Sequence, residues 1–232
     1  MTALVVLQAR LGSHRLPGKV LAPIGRWPLL EYCVTRLRAA AVGPVVVATT
    51  TRPEDREVVA AAERLGAQAF AGPEDDVLAR YALVAQAHPD AEIVLRATAD
   101  NPFVDSEAPA RILKALADGA DYGVEEGLPV GTAVEGVRRD ILLQAQREAS
   151  TPYDREHVTP WVRRAEGVVR TVPSAPPALR APDLHLTVDT PADLAFARCL
   201  ADALWADGLD PRAAPLSRVI AAARRLPAPE VA

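Results

Sequence analysis

Five apolar residues, Ala3-Leu4-Val5-Val6-Leu7, run straight into Gln8-Ala9-Arg10-Leu11-Gly12-Ser13-His14-Arg15-Leu16-Pro17-Gly18-Lys19. No polar residue interrupts the first run, so it reads as a strand buried on both faces. Such a strand needs helices on both sides of its sheet, which points to an α/β architecture. The segment after it carries two glycines, a serine and the cations Arg10, Arg15 and Lys19. A loop of that kind can wrap a polyphosphate with backbone N–H groups while its cations neutralise the oxygens.

The same alternation continues down the chain. Strand-like runs fall at 45–49, 92–96 and 133–137, with weaker ones at 69–70 and 184–188. Helical patterns lie between them, at 29–41, 54–65, 76–87, 106–117 and 140–149. Continuous apolar strands separated by amphipathic helices indicate a mostly parallel sheet covered on both faces. Thr190 reads as an N-cap with Pro191 at the first helical position and Asp193 in the first turn. In such sheets ligands bind beyond the carboxyl ends of the strands. The loop 8–19, the threonines 49–51 and the segment 98–102 all fall there.

Composition narrows the function classes. A chain of 232 residues fits one α/β domain, expected over 1–226, with a small lobe at about 128–182 and a tail at 227–232. The net charge of −4 argues against general nucleic-acid binding. No apolar run approaches 18 residues, so no membrane insertion is expected. The first residues lack the cationic and apolar regions of a signal peptide, so a cytoplasmic protein is expected. Cys33 and Cys199 have no metal spacing and lie in apolar helical patterns, which predicts two buried free thiols. The stretch 173–182, PSAPPALRAP, reads as an exposed loop.

Of the 26 cationic side chains only two are lysines, Lys19 and Lys114. Lysine offers a compact point charge where arginine offers a planar fork. Lys19 directly after Gly18 is therefore expected to be an exposed loop cation reserved for phosphate. Five residues separate Gly12 from Gly18 and Val20 follows the lysine, so the loop is not a Walker motif. Nor is there a G-x-G-x-x-G dinucleotide fingerprint.

Carboxylates follow two of the strand-like runs. Asp100, before Asn101-Pro102, suits either Mg²⁺ held against phosphate oxygens or a simple turn. Asp189 has the same two readings, metal ligand or helix cap. Asp76 and Arg80 are spaced as an i, i+4 pair behind an acidic helix start. Arg96 ends a strand and, if buried, needs an anionic partner. Glu135 lies in an apolar run, so it faces either the cleft or solvent.

Five segments, QARLGSHRLPGKVL, EDDVLARY, RATADNP, REHVTP and VDTPADL, follow one another in the order found in the cytidylyltransferases that activate acidic sugars. The chain most resembles the SpsF-like, spore-coat polysaccharide branch of that group, over about residues 3–200. The resemblance implies a Rossmann-like, GT-A-like nucleotidyltransferase fold. It also implies Mg²⁺-dependent transfer of CMP from CTP to an acidic sugar or related acceptor for surface polysaccharide, in a homodimer. It implies catalytic roles for Arg10, Lys19 and Asp100. Nucleotide contacts are expected from Gln8, Ala9, Gly12, Ser13, Arg15, Thr49, Asp76, Arg80 and Arg96. Acceptor contacts are expected from Glu135, Arg155, Glu156 and His157, and metal ligation from Asp100 and Asp189. Ala99 stands where relatives often have Gly, and the loop before Glu135 departs from theirs, so the acceptor half matches less closely. Two alternatives remain: a glycosyltransferase using a nucleotide sugar, although the chain lacks D-x-D, and a nucleotidyltransferase for another base. A non-catalytic nucleotide-sugar sensor is a third class, which the full set of cations and carboxylates disfavours.

Overall fold

In the computed structural model, which describes residues 1–227, β1 (Ala3–Gln8) lies near the middle of the sheet. It pairs in parallel with β4 (Val45–Thr50) on one side and β6 (Ile93–Thr98) on the other. A short antiparallel hairpin, β2 (Pro23–Ile24) and β3 (Trp27–Pro28), follows the first loop outside the main sheet. β5 (Gln68–Gly72) extends the parallel half beside β4. The other half is built from β7 (Tyr122–Val124), β8 (Glu135–Arg138) and β9 (Arg170–Thr171), giving the order β5-β4-β1-β6-β8-β7-β9. β8 runs antiparallel to both β6 and β7, so the strand expected at 133–137 forms but reverses the sheet direction.

The uninterrupted apolar runs do bury both faces. Val5 and Leu7 of β1 point into one core with α1 (Leu29–Ala39), α2 (Arg56–Arg64), α4 (Ala108–Leu116), α8 (Pro191–Ala206) and α9 (Leu216–Ala223). Leu4 and Val6 point into the other with α3 (Val77–Ala87), α5 (Arg139–Glu148) and α7 (Pro160–Arg164). A further short helix, α6 (Pro152–His157), starts at Thr151, whose hydroxyl accepts from the Asp154 N–H. α8 begins with the expected cap: Thr190 and Asp193 form a reciprocal capping box with Pro191 at the first position.

Several expectations are corrected. The segment 184–188 is not a sheet strand; among the described residues its strand pairing is one bridge, His185 to Val130. The proline-rich stretch is a loop whose Ser174, Pro177, Ala178, Arg180 and Pro182 are exposed as expected, but it also buries Ala175, Leu179 and Ala181, and a 3-10 turn runs Pro177–Leu179. Proline fixes the backbone there without a ladder, and the alternating apolar side chains fill the core beneath. Cys33 is buried, but Cys199 lies on the exposed side of α8. The expected tail lies, except for Pro227, outside the described residues.

One buried carboxylate ties the first loop to the sheet. Asp55 is 1% exposed. Its Oδ1 accepts from the Leu11 N–H at 2.8 Å, and its Oδ2 accepts from the N–H and hydroxyl of Thr50 at the end of β4. The loop therefore leaves β1 already fastened to the neighbouring strand. Asp55→Ala strips several donors of their acceptor and is expected to destabilise the fold by about 2 kcal/mol or more. Urea unfolding should show a lower midpoint at an unchanged slope; a shift below about 0.5 kcal/mol would remove Asp55 from this role.

Candidate active site

Beyond the carboxyl ends of β1 and β6, two adjoining cavities open, of about 680 and 540 Å³. Both are lined by Arg10, Ser13, His14 and Glu156. The larger continues past Gly12 to Arg52, Glu74 and Asp75. The smaller holds Gln8, Ala9, Arg15, Lys19, Arg96, Asp100, His157 and Asp189. The expected loop and carboxylate residues thus meet in one cleft. Thr49, Asp76, Arg80, Glu135 and Arg155 line neither cavity.

The first loop is shaped by its own backbone. Gly18 sits at φ 73°, a left-handed conformation natural to glycine, and its N–H donates to the Leu11 carbonyl at 2.9 Å. That closure turns Lys19 inward. Contrary to expectation the lysine is 8% exposed, not a free loop cation. Its Nζ donates to Asp189 Oδ1 at 2.8 Å, to the Val188 carbonyl at 2.9 Å and to Asp100 Oδ2 at 3.4 Å. Burial of an ammonium requires such partners, and two carboxylates with a carbonyl supply them. Arg15 adds a second cation to Asp189 at 3.0 Å. Arg10 has no ion-pair partner among the described residues.

The two carboxylates are held from behind. Thr98 Oγ1 donates to Asp100 Oδ1 at 2.6 Å, and the Asn101 amide donates to Thr98 Oγ1 at 2.8 Å. Asp193 Oδ2 accepts from the Asp189 N–H at 3.0 Å. The Val188 N–H donates to the Asp100 carbonyl at 2.8 Å, joining the two segments directly. Gly131, at φ 90°, lets a third segment close in: a Cβ there would lie 2.8 Å from Asn101 Oδ1 and 2.5 Å from Thr187 Oγ1.

The Asp76–Arg80 pair does not form. Asp76 caps α3 through the Ala79 N–H and pairs with Arg155 at 3.1 Å. Arg80 is 0% exposed, and none of its three guanidinium nitrogens has a partner among the described residues. Burial is the main cause holding its pKa below the usual arginine value. Glu135 faces neither solvent nor the open cleft. It accepts from Arg96 Nη1 at 2.8 Å, Tyr122 Oη at 2.8 Å and Arg163 Nη2 at 3.3 Å. Sequence reasoning missed Tyr122 and Arg163, because their meeting with Glu135 depends on the antiparallel β6–β8–β7 register that no local signal announces. A second buried cluster was also missed: Arg111 bridges Asp105 and Glu125 behind the 129–132 loop.

Burial acts to raise the Glu135 carboxyl, but Arg96 and Arg163 outweigh it and hold it below the ordinary range. A carboxyl lowered on folding stabilises the fold above its unfolded value, about 4.3, and that contribution is lost as pH falls through the folded value. Stability should therefore decline below about pH 4. Glu135→Gln should flatten that decline and lower stability at pH 7 by about 3 kcal/mol, since it strands two cations. Urea titrations at pH 7, 5, 4 and 3 decide this; parallel curves for both proteins would contradict it.

Known proteins are similar to this chain in sequence and in fold. The cytidylyltransferase family profile matches residues 4–204. The spore coat polysaccharide biosynthesis protein SpsF of Bacillus subtilis is 36% identical over 198 residues, covering 82% of each chain. The fold is shared with a cytidylyltransferase from Leptospira borgpetersenii, at a TM-score of 0.86 and 24% identity over 97% of this chain and 94% of that one. It is also shared with a CMP:2-keto-3-deoxy-manno-octonic acid synthetase solved with CTP, at a TM-score of 0.66 and 22% identity over 90% of this chain and all of that one. With the family profile spanning the first strand, the loop, both carboxylates and most of α8, the chain belongs to the cytidylyltransferase family of enzymes.

Proposed function

We propose that this enzyme transfers CMP from CTP to an acidic sugar or related acceptor with release of pyrophosphate, in surface polysaccharide synthesis. The observation that carries the reading is the convergence of Lys19, Asp100 and Asp189 beside the glycine-bounded loop, with Arg10 left unpaired at the junction of the two cavities. Unpaired positive charge and loop N–H groups suit a triphosphate. In the reaction an acceptor oxygen forms a bond to the α-phosphorus while the bond to the β-phosphate oxygen breaks in line. The acceptor's proton leaves to solvent and pyrophosphate carries off the negative charge. Phosphoryl-type transfer of this kind depends chiefly on positioning and charge stabilisation.

The donor set fits Mg²⁺. Among the described residues no group of three or more His, Cys, Asp or Glu side chains is placed to hold a metal. Mg²⁺ asks for less: one or two carboxylates, completed by phosphate oxygens and water. Asp100 and Asp189 would hold it, and when bound it would neutralise charge developing on the phosphates. Thr98 and Asn101 orient Asp100, while Asp193 fixes the backbone of Asp189. Arg10 and Ser13 are assigned to the phosphates, and Lys19 and Arg15, which neutralise the two carboxylates in this cleft, would be available to phosphate oxygens where a cation takes over that neutralisation. No helix is long and apolar enough to cross a membrane among the described residues, and nothing in the reaction calls for one.

Thermal-shift measurements against CTP, UTP, GTP and ATP, each with and without Mg²⁺, test the reading. A ligand at about 100 times its Kd adds roughly 2.7 kcal/mol of stability. Selective stabilisation by CTP is expected. Preference for another triphosphate would change the base, and no response to any of them would overturn the reading. Lys19→Met and Asp100→Asn should each lower turnover by about 100-fold or more. Asp100→Asn should also lose most of the Mg²⁺ response; an unchanged metal dependence would remove Asp100 from the metal site.

A further inference from the structure

Both oxygens of Glu135 are already engaged by protein donors. Its Oε1 takes Arg96 and Arg163, its Oε2 takes the Tyr122 hydroxyl, and the residue is 9% exposed. Arg163 Nε closes the ring by donating to Tyr122 Oη at 2.8 Å. Two guanidinium groups share one carboxylate, so the cluster carries one positive charge in excess. Arg163 lies half in solvent, where that charge would be screened, but Arg96 is enclosed: its side chain is 18% exposed.

The sheet register aims Arg96 at the cleft. Arg96 stands directly across from Glu135 in the antiparallel β6–β8 pair and beside Val6 in the parallel β1–β6 pair. Side chains alternate along a strand, so Gln8, two residues beyond Val6, shares its face. Both line the smaller cavity, the one with the carboxylates, and Arg96 does not reach the larger one. Each also presents a buried polar atom with no partner, Arg96 Nε and Gln8 Oε1. On one face of the sheet, then, a buried donor on a cation and a buried acceptor two residues further along are both unmet, which suits a ligand that is anionic and also carries a hydroxyl.

We infer that Arg96 is the specificity residue for the acceptor, binding its carboxylate or phosphate group, and that Glu135, with Tyr122, is a positioning residue that holds the guanidinium in place. This rests on the cytidylyltransferase reading above and reverses the sequence assignment, which put Arg96 on the nucleotide and Glu135 on the acceptor. Arg–carboxylate and Arg–phosphate recognition are both bidentate and strong, and a fixed fork loses less freedom on binding. An acceptor without an anionic group would leave the excess charge unmet and bind poorly.

The test is calorimetric titration of the full chain, first with the non-hydrolysable analogue α,β-methylene-CTP. The loaded protein is then titrated with three probes: 3-deoxy-manno-octulosonate, mannose 1-phosphate and neutral mannose. One of the two anions is expected to bind and mannose to fail, which separates carboxylate from phosphate as the recognised group. Arg96→Met should weaken that anion by about 30-fold and the CTP analogue by less than about threefold, with Arg96→Lys in between. Tyr122→Phe, which frees Glu135 Oε2 while keeping the ring, should weaken the anion by about threefold to tenfold at an unchanged CTP affinity. Equal losses for anion and CTP analogue in Arg96→Met would return Arg96 to the nucleotide. Arg163→Met losing as much anion affinity as Arg96→Met would move the site to Arg163. Full anion affinity in both Tyr122→Phe and Glu135→Gln would end the positioning role. A wild-type protein that binds the CTP analogue but neither anion, or mannose equally well, overturns the inference alone; one that binds no CTP analogue overturns the functional reading instead.

Discussion

Everything in the cleft is arranged around one buried ammonium. Lys19 comes from the first loop, Asp100 from the end of β6 and Asp189 from the approach to α8, and a single Nζ touches both carboxylates. Remove that contact and two carboxylates face each other with one exposed arginine between them and solvent. The lysine's inward turn depends on the positive φ at Gly18, and the loop's exit from β1 depends on Asp55. The separation of the carboxylates depends on the backbone bond from Val188 to Asp100. Each of these is an ordinary hydrogen bond or turn. Their joint effect is two carboxylates and one ammonium held within a few ångströms of one another.

Much of the parallel half was legible because local signals suffice there. Uninterrupted apolar runs specify β1, β4 and β6, amphipathic spacing specifies α1 to α5, and Thr190-Pro191 specifies the start of α8. The antiparallel half was harder. β8 and β7 are short, and their direction is set by pairing across the sheet rather than by composition. Segment 184–188 has the apolar content of a strand, yet its backbone is spent holding Asp100 and the 130 loop. The proline-rich stretch is exposed over half its length as composition suggests, but Ala175, Leu179 and Ala181 still tuck into the core. At the site the residue types were readable and the pairings were not. Asp76 seeks Arg155 instead of Arg80, and Lys19 sinks into its partners, because a charge goes to whichever opposite charge tertiary structure brings near.

The charges also divide the cleft into parts of different character. Around Lys19 the cations are matched by acids, so the site is poised for a ligand that rearranges the pairs. Around Glu135 the cations outnumber the acid, so the pocket is short of negative charge before anything binds. Behind them both, Arg111 with Asp105 and Glu125 carries the opposite imbalance under the 129–132 loop. Asp105 also donates its N–H to the Thr132 carbonyl, so this acidic cluster supports the loop that bounds the pocket. The net charge of −4 for the whole chain thus conceals local excesses of either sign.

The wide spacing of Lys19, Asp100 and Asp189 along the chain bears on how the enzyme is made. Partners 81 and 170 positions apart cannot meet in any partial product of translation that stops short of the second carboxylate. The parallel half can collapse early on its own apolar strands, but during synthesis the loop's lysine must wait, solvated, until the ribosome has delivered nearly the whole chain. The contact between the loop and the second carboxylate therefore forms late, and a chain that stops before Asp189 lacks it.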